Sequence, residues 1–181
     1  MRDRFDPLPF QPSFFLRRLL DGGYHEYVRF SQIASGFRNG FPIGREEQAD
    51  EPTGTVQLRP TNLGPEGEWL SEKVTYVPEG SVPNTARAVA VGEIVFNNTN
   101  SQQLVGKSGV WDKSFGENVV LSNHMTQIEM NDGYDPEVYA YILNVYRRNR
   151  MFYNLCTNWT TQSGFAGDRL RSIPLPTLPR S

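Results

Sequence analysis

Cysteine is almost missing from this chain: Cys156 stands alone among 181 residues. No intrachain disulfide can form, and no cysteine-based zinc site can be built. Cys156 follows Leu155 at the end of a helical stretch, where a small buried apolar side chain is expected. Histidine is scarce as well, with only His25 and His124. No apolar run approaches the roughly 18 residues of a membrane span. Residues 1–10 lack the hydrophobic region of a signal peptide. The expectation is a cytoplasmic protein with no membrane contact. Neither sign of charge dominates: 18 basic and 20 acidic side chains leave a net charge of −2. That excludes a polybasic, histone-like binder and leaves room for a local basic patch.

Familiar catalytic signatures are missing too. Gly106-Lys107-Ser108 resembles the tail of a phosphate-binding loop, but the glycine needed five positions earlier is Ser101. Gly164 to Gly167 is too short for a dinucleotide fingerprint, and Gly-x-Ser-x-Gly does not occur. The Asn-Pro-Pro-Tyr and Asp-Pro-Pro-Tyr tetrapeptides of amino-methyltransferases are absent. Glu93 and Glu129 have strand-like surroundings without the lysine spacing of a metal-dependent nuclease. The chain reads as non-catalytic, with no metal site and no cofactor.

What is present is punctuation. Sixteen glycines and 13 prolines exclude a long helical bundle and call for many turns. Residues 1–23 read as an arm, kept extended by Pro7, Pro9 and Pro12, with a short helix over 14–20 that ends at Gly22-Gly23. Residues 24–181 read as one domain. Strand patterns cover Glu26 to Phe30, Thr55 to Arg59, Val74 to Val77, Ala88 to Phe96, Leu104-Val105, Val110-Trp111, Val119 to Leu121 and Met125 to Met130. Ser35-Gly36 and Asn39-Gly40 signal turns. Asp135, Pro136 and Glu137 make a good helix start. Val138, Tyr141, Ile142 and Val145 then recur at helical spacing, which places Tyr141 in the core and ends the helix near Arg150 to Asn154. Asp168 to Ser172 predicts one further turn. The fold class is α+β: a single mixed domain of short, mostly antiparallel strands with one main helix and long polar loops.

Local charge is more informative than the total. Residues 46–93 carry nine acidic and three basic side chains, whereas residues 140–181 carry six arginines and only Asp168. That polarity steers a polyanion toward one face. Part of it has a plainer cause, because Arg147, Arg148 and Arg150 close a helix whose dipole favours cations there. Two segments, 97–103 (Asn-Asn-Thr-Asn-Ser-Gln-Gln) and 158–163 (Asn-Trp-Thr-Thr-Gln-Ser), concentrate amides and hydroxyls. Amides suit adenine edges, arginine and lysine suit guanine, and hydroxyls suit phosphates. The aromatic residues Tyr134, Tyr139, Tyr141, Trp111 and Trp159 suggest an alternative, a carbohydrate- or protein-binding module. Among them Trp159, set between polar residues, is expected to be partly exposed.

Several stretches, in this order, resemble the target recognition domain of type I restriction–modification specificity subunits. They are Phe30-Ser31-Gln32-Ile33-Ala34 with Gly36 to Gly40, Val56 to Leu63, and Val91-Gly92-Glu93-Ile94-Val95-Phe96-Asn97. Leu104-Val105-Gly106-Lys107, Ser122-Asn123-His124, Asp135 to Tyr141, and Ile173-Pro174-Leu175-Pro176 follow. The resemblance runs from about Tyr27 to Pro179. It implies sequence-specific recognition of double-stranded DNA, reading one half of a bipartite target. It also implies that modification (methyltransferase) subunits supply methyl transfer and a restriction/translocase subunit supplies cleavage. In this reading Lys107, Arg169 and Arg171 hold phosphates. Asn98, Asn100, Gln102, Thr161 and Gln162 read bases, with Arg38, Arg59 and Asn62 near the groove. A full subunit of the family pairs two such domains through long helices, so a second recognition domain or a homodimer is an expected partner. The recognition domain of a single-chain restriction–methyltransferase is the alternative within the same DNA role.

Overall fold

The computed structural model describes residues 26–49, 51–158, 162–165 and 167–178. The expected arm and its 14–20 helix lie outside the described residues, as do Trp159 and Thr161. Strand β1 (Tyr27–Arg29) leads into one helical turn, α1 (Phe30–Ile33), and then β2 (Ala34–Asn39). Strand β3 (Thr55–Leu58) is followed by a 3-10 turn, Pro60–Asn62, and by β4 (Thr75–Val77). The middle of the chain holds β5 (Ile94–Asn97), β6 (Thr99–Asn100), β7 (Ser108–Val110), β8 (Val119–Leu121) and β9 (Met125–Met130). Helices α2 (Pro136–Arg148) and α3 (Met151–Leu155) come next, then β10 (Thr157–Asn158), β11 (Ser163–Gly164), α4 (Gly167–Ser172) and β12 (Pro174–Pro176). The α+β reading holds.

The strands form four small sheets, ordered β2-β9-β5-β7, β4-β3-β8, β10-β11-β6 and β1-β12. Pairing between strands is antiparallel except for β3 with β8. Strand β5 sits at the centre, with all four residues at 0% exposure. Its alternation divides the interior, because neighbouring strand residues point to opposite faces. Ile94 and Phe96 join Tyr139, Leu143, Phe152, Phe165 and Leu170 under the helices. Val95 joins Leu58, Leu63, Trp111, Leu121 and Met125 on the other face. Burial on both faces is why β5 reads as a short continuous apolar run, Ile94-Val95-Phe96, rather than an alternation.

Helix α2 starts as its sequence dictates: the Asp135 carboxylate accepts the Glu137 N–H at 2.9 Å, and Pro136 takes the first helical position. It ends earlier than expected. Arg150 is in the left-handed region, with φ of 61°, and separates α2 from α3. Other expectations are also corrected. Tyr141 is 63% exposed, because Tyr139, Ala140 and Leu143 face the sheet instead. Only the last part of the 88–96 stretch is a strand, since Gly92 turns at a φ of 87° and Glu93 folds back to accept the Ala90 N–H. Leu104-Val105 is a turn rather than a strand, closed by Val105 N–H donating to Ser101 O at 3.0 Å. Gly106 completes that turn at a φ of 93°, where a Cβ would lie 2.1 Å from the Phe152 ring. Ser35-Gly36 is a bulge inside β2, not a turn between elements. Cys156 is partly exposed, at the edge of the core.

Candidate nucleic-acid interface

The two polar segments of the sequence are neighbours in space. Asn100 of β6 pairs with Ser163 of β11, and Thr99 with Gly164. The Phe165 N–H donates to Asn98 O at 2.8 Å just beyond them. Strand β10 adds Asn158 on the far side of β11, where its side chain accepts the Ser163 hydroxyl at 2.7 Å. Segments some 60 residues apart thus become one small polar sheet. Asn97 fixes its near end: fully buried, it donates to Thr99 O and His124 O at 2.9 and 3.0 Å and accepts from the Asn100 amide at 2.8 Å.

This sheet forms one wall of a cleft of about 970 Å³. Thr99, Asn100, Ser101 and Gln162 line that wall, His124 contributes from the turn before β9, and Arg59, Thr61 and Lys73 line the cleft as well. The lining is mixed donor and acceptor, with Glu72 as its one carboxylate among the described residues. Arg59 is half-buried, and burial lowers the pKa of its guanidinium from the usual value. No carboxylate among the described residues lies within salt-bridge reach of it. Its weak contact is with Gln57 Oε1 at 3.5 Å, and its Nε is buried without a partner. A desolvated cation with donors to spare is poised for an anion or for a guanine edge. His124 sits nearby with its pKa lowered, first by burial and then by the charge of Arg59. At neutral pH its imidazole therefore offers one donor and one acceptor.

Of the residues expected at the site, Arg59, Asn100 and Gln162 line this cleft together. Asn100 is partly committed, since its amide donates to Asn97 and its carbonyl accepts the Ser101 N–H. Asn98 lies behind the wall, with Nδ2 reaching Asn123 O at 3.4 Å and Oδ1 buried. Gln102 turns away and donates to Tyr153 O at 2.9 Å.

Two expected contacts are internal instead. Lys107 is 5% exposed, and its ammonium donates to Pro60 O at 2.6 Å and to Leu63 O. An ammonium enclosed this way cannot reach a phosphate; it ties the 60–63 segment to β7. Asn62 is 1% exposed, donates to Leu70 O and Lys73 O, and accepts the Arg59 N–H. It stitches together the parts of the cleft that carry Arg59 and Lys73.

The remaining arginines lie elsewhere. Arg38 pairs with Glu129 at 3.3 Å, and Arg87 bridges Glu129 and Glu93 beside it. Arg171 stacks over Phe37 at 5.2 Å and reaches Asp168 at 3.5 Å, while Arg169 donates to Leu155 O. Thr161 lies outside the described residues. Sequence reading missed His124, Thr61 and Lys73 as lining residues. His124 had a signal: one of two histidines, it sits in a short polar turn directly after the apolar Val119-Val120-Leu121 strand. Lys73 had none, since it lies within the most acidic part of the chain.

No family model matches the chain, and no curated protein sequence does either. Solved structures do match in fold. One comes from work on the complex assembly and conformational transition of the type I R-M system, with a TM-score of 0.59 and 12% identity, covering 91% of this chain and 39% of that one. The type I restriction-modification S subunit of M. genitalium matches with a TM-score of 0.54 and 12% identity, covering 86% of this chain and 35% of its own. The HsdS subunit of Thermoanaerobacter tengcongensis gives a TM-score of 0.57 and 12% identity, covering 92% and 39%. The chain therefore has a fold found in type I specificity subunits, and spans less than two fifths of the length of these solved chains.

Proposed function

We propose that this domain recognises double-stranded DNA by sequence, reading one half of a bipartite target within a type I restriction–modification assembly. The observation that carries the reading is Arg59. It is a half-buried guanidinium without a carboxylate partner among the described residues, in a cleft walled by two amide- and hydroxyl-rich segments. Arg59 is the guanine-reading candidate and Gln162 the adenine-reading one. The likeness in fold to S subunits supports the same role. The domain itself is non-catalytic in this reading and works in the cytoplasm. Methyl transfer and cleavage belong to modification and restriction/translocase subunits, and a second recognition unit or a second copy of this chain reads the other half-site. The aromatic-platform alternative loses support because Trp111 and Tyr139 are 1% exposed, and the exposed Tyr141 has its ring covered by Arg148 at 5.4 Å.

The test is a titration with random-sequence duplex at several salt concentrations, followed by sequencing of duplexes retained through selection. A nucleic-acid reader loses affinity steeply as salt rises. Enrichment of a short half-site, with Arg59→Gln costing about 1–3 kcal/mol at one base pair only, is the expected result. Salt-insensitive binding with no enriched sequence overturns the proposal.

A further inference from the structure

The 97–103 loop borders a second hollow through its last two residues, Gln102 and Gln103, and what lines that hollow differs in kind from the reading cleft. Resting on the DNA-reading role above, we infer that this hollow seats a backbone phosphate of the same duplex. It measures about 270 Å³ and gathers Arg147, Arg148 and Arg150 around Gln102, Gln103 and Tyr153. Two carboxylates answer the three guanidiniums among the described residues: Glu66 pairs with Arg147 at 3.6 Å and with Arg148, and the charge of Glu68 also acts on Arg147. A local excess of positive charge remains in a chain whose total is −2.

The three arginines contribute differently. Arg147 has a side chain only 11% exposed, and its Nε is buried without a hydrogen-bond partner. Its Nη2 is already engaged by Pro65 O and Glu66, so Arg147 adds charge behind the hollow rather than a free donor. Arg148 is shared between Glu66 and the face of Tyr141, 5.4 Å away. Arg150 has no carboxylate within salt-bridge reach among the described residues, and lies over the Tyr153 ring at 5.7 Å. Stacking on a ring face leaves the guanidinium edge, with its N–H groups, open to phosphate oxygens. The rim is held in place: Gln102 Nε2 donates to Tyr153 O at 2.9 Å and fastens the loop to α3.

Reach favours a duplex as the source of the phosphate. Asn100 lines the reading cleft and Gln103 the arginine hollow. Three residues of chain span at most about 11 Å, while a duplex advances about 3.4 Å per base pair along each strand. A duplex read at Asn100 and running toward Gln103 has phosphates spaced closely enough to meet the arginines within about three base pairs. The contact carries no sequence information; it sets register and adds to the salt dependence.

The experiment compares wild-type protein with Arg150→Asn, Arg150→Lys and Arg59→Gln in duplex binding between about 50 and 200 mM salt. Asparagine tolerates the left-handed backbone at position 150 and removes the charge. A matched thermal melt checks that the fold is kept. Expected for Arg150→Asn is a plot of log affinity against log salt flattened by about 0.9. Binding should weaken equally for all sequences, with their ranking unchanged, and Arg150→Lys should restore the slope. Wild-type affinity and slope in Arg150→Asn, beside weakened binding in Arg59→Gln, overturns the phosphate site and leaves the reading role standing. Wild-type protein without salt-dependent duplex binding brings down both.

Discussion

Lys107 and Asn62 have polar ends turned inward, and together they shape the cleft from behind. Between them they satisfy carbonyls of Pro60, Leu63, Leu70 and Lys73, the segment that flanks Arg59. Lys107→Met keeps much of the stem but strips two carbonyls of their donor. It should destabilise the fold by about 1–3 kcal/mol in urea denaturation, and weaken DNA binding only through disorder at Arg59. A direct phosphate role would instead lower the salt slope with stability unchanged. His124 gives a pH signature. Its folded pKa lies below the ordinary 6.5, so on acidification the unfolded chain takes up the proton first. Stability is therefore lost as pH falls through 6.5, and the loss stops once pH passes below the folded value. His124→Gln should flatten the urea midpoint against pH across that window. Sequence alone separated none of these roles. A lysine after a polar loop looks the same whether its ammonium meets water or two backbone carbonyls.

At the scale of elements, the sequence was most legible where local chemistry and packing agree. The start of α2, the strands at 119–121 and 125–130, the short helix near 168–172 and the extended 174–176 segment were all readable from caps, alternation and prolines. It was least legible where one residue redirects the chain. Gly106 makes a turn of Leu104-Val105, because only a residue without Cβ clears Phe152 there, and Arg150 splits one expected helix into two. Gly106→Ala should therefore cost well over 1 kcal/mol, from strain and overpacking together, read as a lowered denaturation midpoint. Asn144 does comparable work between elements. Buried on α2, it accepts the Ser108 N–H at 3.1 Å and donates to Ser108 O at 2.6 Å, covering the free edge of β7. Asn144→Leu leaves that edge unsatisfied and should cost about 1–3 kcal/mol. Asp135→Ala, which removes only a cap, should cost about 1 kcal/mol.

For the whole molecule, net charge says little about the face that would meet a polyanion. Much of the acidity of residues 46–93 sits on exposed loops, while Glu66 is spent on Arg147 and Arg148. What the sequence could not convey was adjacency: the two polar segments looked like separate loops, and only long-range pairing through β11 makes them one wall. A different long-range pairing has its own consequence. Strands β1 and β12 lie side by side, with Tyr27 opposite Pro176 and Thr177 N–H donating to Glu26 O at 2.7 Å. A unit whose first and last described strands are zipped together can be lifted out and grafted as a cassette without stretching its host. It also tolerates having its two ends sewn to each other. A circular permutant, joined by a short glycine-serine bridge between 178 and 26 and cut at the exposed Gly116-Glu117 step, should keep its cooperative melting transition and its far-ultraviolet spectrum.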